Sequence, residues 1–182
     1  DKKFTNLLDC HELYCAGHMT EAAVAYYEAT GKDKLLNAAA RFADYIDERF
    51  GPEEGKCKGY PGHEVAEMAL VRLAEVTGQE KYLKLSKFFV DQRGIAPFYF
   101  AMEEKTRAEK EGRPWKGDVN QGSEYHQASK PVREQDEAVG HAVRAVYLYT
   151  AMAQLAAATG EPELTAACCR LFDSIANRRM YI

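Results

Sequence analysis

Three Gly-His pairs stand out among the residues able to do chemistry: Gly17-His18, Gly62-His63 and Gly140-His141. Histidine is scarce, with five in 182 residues. Three of the five near the starts of repeated helical segments suggest one shared site. His11 and His126 lie in or just before the same starts. A neutral imidazole offers one donor and one acceptor. The positive end of a helix dipole disfavours its protonated form. Such a set suits hydroxyl-rich ligands, so the reading is a polar mouth that binds a small sugar. Taken singly, each histidine reads as a polar residue satisfied at a helix end.

Carboxylates follow the histidines. Glu12, Glu21, Glu64, Glu67, Glu134, Asp136 and Glu137 fall in or near the same first turns. Paired carboxylates can serve as acid and base in glycoside hydrolysis, but acidic residues also favour helix N-termini for the dipole alone. No HExxH, CxxC or two-histidine-carboxylate spacing appears. Cys10, His11, Cys15 and His18 include an i, i+4 pair able to ligate zinc. Packing as small core residues is the favoured reading of those cysteines. Cys168 and Cys169 point about 100° apart on a helix, which also fits packing. No metal site is therefore assigned. Tyr14, Tyr60, Tyr125 and Tyr147 lie close to the histidines, and aromatic faces suit the apolar face of a sugar ring.

The elements that must position these groups are helical. Apolar residues recur at steps of three and four over 11–29, 33–50, 63–76, 80–92, 134–158 and 162–178. A Thr-Gly pair ends the first helix of each pair, at Thr30-Gly31, Thr77-Gly78 and Thr159-Gly160. Glycine there supplies a left-handed cap. The spacing is 47 residues between Thr30 and Thr77 and 82 between Thr77 and Thr159. The excess is an insertion over 94–130, read as a long loop with a charged, exposed helix over 102–111 and the single Trp115. Loops of that length inside a compact domain are usually functional. A helical-hairpin period of 47 is close to HEAT repeats and also fits an α/α barrel. The Gly-His helices carry the widest apolar faces and are assigned as inner helices.

Composition narrows the partners. Net charge is −4 and no Lys/Arg cluster follows one face, so nucleic acid is not expected as a partner. Mean hydropathy is −0.47 and no apolar run reaches the roughly 20 residues of a membrane span. Five cysteines without a disulfide or knuckle spacing fit a reducing cytoplasm. The chain begins at Asp1 without Met and stops at Met180-Tyr181-Ile182, so both ends read as cut.

Read together, the motifs resemble the bacterial β-L-arabinofuranosidase family. The stretches that carry it are His11-Glu-Leu-Tyr-Cys-Ala-Gly-His18 with Glu21-Ala-Ala-Val-Ala-Tyr26, then Gly59-Tyr-Pro-Gly-His-Glu64, then Tyr125-His-Gln127, Pro131-Val-Arg-Glu-Gln135 and Val139-Gly-His-Ala-Val-Arg-Ala145. Asn177-Arg-Arg-Met-Tyr-Ile182 is similar too, at a point where the family's chain continues. The resemblance implies an all-α fold, a six-hairpin α/α barrel of which residues 1–182 hold three hairpins as a single partial catalytic domain. It implies a retaining glycosidase with a zinc-bound cysteine nucleophile. It assigns His11, His63 and His141 to the arabinofuranose, with His18, Tyr14 and His126 as further substrate-binding candidates. The family's Glu-x-Cys and Cys-Cys zinc segments lie downstream, so no catalytic residue is expected in this chain. Zinc is expected only in the full-length parent. The chain alone is expected to be inactive, and its exposed half-barrel faces are expected to favour a homo-oligomer. Two alternatives remain: an α/α-barrel sugar epimerase or isomerase using histidine acid/base chemistry, and a helical-repeat binding module.

Overall fold

The computed structural model describes residues 2–180. Asp1, Tyr181 and Ile182, including the end of the Arg-Arg-Met-Tyr stretch, lie outside the described residues. Among the described residues there are seven α-helices, one short 3-10 turn and no strand. They are α1 (Glu12–Thr30), α2 (Lys34–Arg49), α3 (Ala66–Thr77), α4 (Glu80–Gln92), α5 (Tyr99–Lys110), α6 (Ala142–Thr159) and α7 (Pro162–Arg178). The pairs α1/α2, α3/α4 and α6/α7 are the three hairpins expected from the repeat. Within the array α1, α3 and α6 lie side by side, and α2, α4 and α7 back them.

The Thr-Gly element has one physical form in all three hairpins. Gly31, Gly78 and Gly160 adopt φ of 69°, 68° and 68°, and their N–H groups donate to the carbonyls of Tyr27, Ala74 and Ala156. The preceding threonine hydroxyl donates to a carbonyl one turn back, at Tyr26, Leu73 and Leu155. A left-handed residue ends each inner helix, and glycine takes it without a Cβ penalty.

Two apolar clusters hold the hairpins together. One joins α1, α2, α3, α4 and α5 through Leu13, Val24, Ile46, Leu73, Phe89 and Phe100. The other joins α3, α4, α6 and α7 through Val71, Val90, Leu148, Met152, Leu155 and Leu171. α1 and α3 pack closely at Gly17. A Cβ placed there would lie 2.5 Å from Val65 Cγ1 and 2.8 Å from the Ala66 nitrogen. Gly17→Ala gains at most about 1 kcal/mol of helix propensity, whereas overpacking costs about 1–3 kcal/mol. One of the atoms met is backbone, so overpacking wins. We expect a net loss of roughly 1–2 kcal/mol in urea denaturation; an equal or higher midpoint would remove the close-approach explanation.

Several boundaries differ from the sequence reading. The helix expected over 63–76 begins at Ala66 instead. Arg93 takes the Pro61 carbonyl at 2.7 Å, and a Cβ on Gly62 would lie 2.1 Å from the Leu7 carbonyl oxygen. His63 and Glu64 are thereby held in the turn before the helix. The helix expected over 134–158 begins at Ala142. Residues 132–134 form the 3-10 turn, and Gly140 at φ 80° ends the irregular stretch. Within that stretch Gln127 Nε2 donates to the carbonyls of Val139 at 2.9 Å and His141 at 3.3 Å. The helix expected over 102–111 starts earlier, at Tyr99, and is not an exposed charged segment. Phe100 and Ala108 are buried, and Glu103 accepts from the Leu7 and Leu8 N–H groups at 2.8 and 3.3 Å. Residues 94–130 therefore pack against the N-terminal segment through that helix. Cys10, Cys15 and Cys169 are exposed rather than packed as small core residues.

Candidate functional site

The N-terminal ends of α1, α3 and α6 meet, and the histidines cluster there. His11 is the N-cap residue of α1, His141 is the N-cap residue of α6, and His63 precedes α3 by three residues. The His11 and His63 rings lie 4.0 Å apart between centroids. Tyr14, one turn into α1, stands edge-on to His11 and His63 at 5.9 Å each and to His18 at 4.4 Å. His18 sits in the second turn of α1, not at a helix start, so Gly17-His18 is not equivalent to the other two Gly-His pairs. Its neighbour across the cleft is Tyr147 of α6 at 6.0 Å. His141 faces Tyr125 at 5.5 Å.

His126 occupies a different kind of place. It is 7% exposed, behind the cluster, with its ring 5.2 Å from Phe100 and 5.9 Å from Phe98. Its Nδ1 lies 2.7 Å from Arg144 Nη1, and the Gly62 main chain also hydrogen-bonds the ring. Tyr60, placed near the sugar by sequence, is 1% exposed and packs under the Arg93 guanidinium at 4.5 Å.

Two arginines that the sequence reading gave no role organise the site. Arg144 Nη1 contacts His126 and its Nη2 contacts His63 Nε2 at 2.6 Å. Its plane also lies 5.1 Å over the Tyr125 ring. Burial first, then the Arg144 charge, lowers the His63 pKa to about 4; His11 and His141 act in the same direction and Asp9 opposes them. Burial and then Arg144 likewise lower the His126 pKa to about 4, with Arg93 adding to the effect. Both rings are neutral at pH 7. The signal for Arg144 in sequence was a lone charge three residues after His141 in an otherwise apolar run.

Arg93, at the end of α4, is fully buried. It pairs with Glu64 at 2.9 Å and Glu67 at 3.0 Å, and donates to the carbonyls of Pro61 and His126 at 2.7 and 3.0 Å. Glu67 also accepts from the Val65 N–H at 3.1 Å. The Glu64 pair is close in distance, yet neither Glu64 oxygen has hydrogen-bond geometry. Glu64 is the less satisfied carboxylate of the two. Burial pushes its pKa up to about 7, and Arg93 only partly offsets this. Of the other carboxylates singled out by sequence, Glu134 is exposed and four are held in structural contacts. Glu12 accepts from Phe4, Glu21 pairs with Arg72, Asp136 with Lys130 and Glu137 with Arg179.

Among the described residues no group of three or more His, Cys, Asp or Glu could hold a metal ion. The described residues therefore do not fit the zinc implied by the resemblance. No helix among the described residues is long and apolar enough to cross a membrane.

Comparison with known proteins agrees with the all-helical fold. The chain is 40% identical over 181 residues to the non-reducing end β-L-arabinofuranosidase of Bifidobacterium longum subsp. longum, covering 99% of this chain and 27% of that protein. A GH127 β-L-arabinofuranosidase from Geobacillus stearothermophilus T6 superposes with a TM-score of 0.92 at 53% identity, over 100% of this chain and 28% of its own. A second GH127 β-arabinofuranosidase gives 0.80 at 41%, over 100% and 25%. The chain thus spans about a quarter of the length of these relatives. Neither the epimerase nor the binding-module reading gains support from them. The profile of the β-L-arabinofuranosidase GH127 catalytic domain matches residues 1–182, and the chain belongs to that family.

Proposed function

We propose that the end formed by α1, α3 and α6 binds one L-arabinofuranosyl unit at the non-reducing end of a glycan. The observation that carries the reading is the buried His63 Nδ1, which has no hydrogen-bond partner, on a ring beside those of His11 and Tyr14. An unpaired buried donor costs about 1–3 kcal/mol, and a sugar hydroxyl would satisfy it. His11, His63 and His141 are the hydrogen-bonding groups in this reading. Tyr14 and His18 form the wall of the cleft. His126 supports from behind and does not touch the sugar.

In the natural-length protein the activity would be retaining hydrolysis of L-arabinofuranosides. The cysteine nucleophile and its zinc would come from residues outside these 182. What this chain's residues would do is bind and orient the sugar.

The test is titration calorimetry with methyl β-L-arabinofuranoside, using methyl β-D-glucopyranoside as the control. We expect saturable binding of the arabinofuranoside only, lost in a His63→Ala/His141→Ala double variant that still unfolds cooperatively. Equal binding of both sugars, or undiminished binding by the double variant, counts against the reading. The His63 ring sets one expected pH dependence. It stays neutral until the pH approaches about 4, so His63→Ala should weaken binding by a similar factor at pH 8 and at pH 5.5. A variant effect that disappears at pH 5.5 would show that a different group carries the contact.

A further inference from the structure

The contacts of Arg144 determine where each of three imidazoles carries its proton. A guanidinium has five N–H donors and no acceptor. The ring nitrogens facing it must therefore be the unprotonated ones. For His63 the facing atom is Nε2 at 2.6 Å, which puts the proton on Nδ1. That is the tautomer a free imidazole favours less. For His126 the facing atom is Nδ1 at 2.7 Å, which puts the proton on Nε2. The Arg144 backbone N–H also donates to His141 Nδ1 at 3.4 Å, a longer contact that leaves the His141 proton on Nε2 as well.

We propose that Arg144 is a positioning residue that locks His63 and His126 as neutral rings in opposite tautomers, so that His63 presents a fixed Nδ1–H donor to the ligand. The use of that donor rests on the sugar-binding reading above. The lock itself is a property of the protein without ligand.

The surroundings support the lock. His63 Nδ1 is buried and has no hydrogen-bond partner in the protein, so its proton is not already committed. Arg144 is held from three sides: by His126, by His63 and by the Tyr125 ring over which it lies. The charged and titratable groups around His63 are Arg144, His11, His141 and Asp9. Those around His126 are Arg144, Arg93 and His63. Around His63 one carboxylate faces three cationic or imidazole groups, and around His126 no carboxylate is among them. A second proton on either ring is therefore opposed, and the fixed tautomer persists over a wide pH range. Which nitrogen of a histidine is protonated is set by the hydrogen bond the other nitrogen makes. Here both such bonds come from one side chain.

The experiment is long-range 1H–15N correlation of the imidazoles in the natural-length protein without sugar, with His63→Gln and His126→Gln used to assign the two rings. In the parent, His63 is expected to show a protonated Nδ1 and a bare Nε2, and His126 the reverse, unchanged from pH 8 to pH 5.5. Arg144→Met should convert His63 toward the Nε2–H form and make both rings titrate at higher pH than in the parent. Arg144→Lys has a single ammonium and cannot reach two rings in a fixed fork. It should keep at most one of the two locked, whereas a purely structural role predicts that Lys and Met variants leave the tautomers alone. Circular dichroism checks that both variants fold, and if the Met variant unfolds, the parent and Lys spectra decide. A parent His63 carrying its proton on Nε2, or tautomers unchanged in a folded Arg144→Met, overturns the proposal. If the tautomers are locked as stated but calorimetry finds no arabinofuranoside binding, the lock stands and the sugar-binding reading fails.

Discussion

Replacing Arg93 by Met removes about 3–5 kcal/mol of stability at pH 8, the cost typical of taking one partner from a buried ion pair. Arg93 is 0% exposed between Glu64 and Glu67, which are 1% and 0% exposed. Methionine preserves much of the apolar stem, so the loss reports on two stranded carboxylates and on the freed carbonyls of Pro61 and His126. The deficit should shrink at low pH, because each stranded carboxylate can take up a proton instead of staying charged in the interior. The parent already shows the direction. The folded-state pKa of Glu64, about 7, lies above its ordinary value of 4.5. Its contribution is therefore fully present below about 4.5 and is lost as pH rises through about 7, on the order of 3 kcal/mol in all. His63 and His126 act oppositely. Their folded values near 4 lie below 6.5, so their contribution is present above 6.5 and lost as pH falls through about 4. Urea denaturation of parent and Arg93→Met at pH 5, 6.5 and 8 reads all three effects. A variant deficit under 1 kcal/mol at pH 8, or one that grows on acidification, would show that the carboxylates do not depend on Arg93.

The second large effect concerns chemistry. In the natural-length protein, His63→Ala should lower kcat/KM toward an arabinofuranoside on the order of 10- to 100-fold, the value of one or two lost hydrogen bonds of about 1–3 kcal/mol. The fall should be steeper than for His18→Ala. His63 is half-buried with a free Nδ1–H, whereas His18 is exposed and lies one turn farther along α1. Steady-state kinetics on the two variants, with unfolding midpoints as the control, separates a ligand contact from a packing role. A His63→Ala variant within twofold of the parent would sink the assignment. Because His63 is neutral above about pH 4, it should leave no ionisation of its own in the parent's rate profile between pH 5 and 8.

Much of the architecture could be read from residue order. The threefold Thr-Gly element marks the ends of α1, α3 and α6, because a left-handed cap is a local demand that glycine meets by itself. Helices α4 and α7 have the bounds that their periodicity indicates. The starts of α3 and α6 were not readable. Whether residues 63–65 and 134–141 wind into helix depends on Arg93 and Gln127, which take main-chain carbonyls from distant parts of the chain. The Gly-His pattern was legible as a set but misleading in one member. Gly17 is glycine because α3 passes within contact of it, not because a histidine follows.

The sequence by itself therefore determined an all-helical array of three hairpins, the family, and a set of five histidines expected at or just before the starts of the inner helices. The hairpins follow from spacing and periodicity, which are properties of the chain's order, and the family from the motifs that resemble it. Only the tertiary structure decided what each histidine can do. It put His126 behind the site, left His63 Nδ1 without a partner, and placed Arg144 between the two. It also turned Glu64 and Glu67 from candidate acid/base residues into the partners of one buried arginine. Protonation state and hydrogen-bond role depend on burial and on which charge stands within a few ångströms, and those neighbours come from residues up to 81 positions apart in the chain.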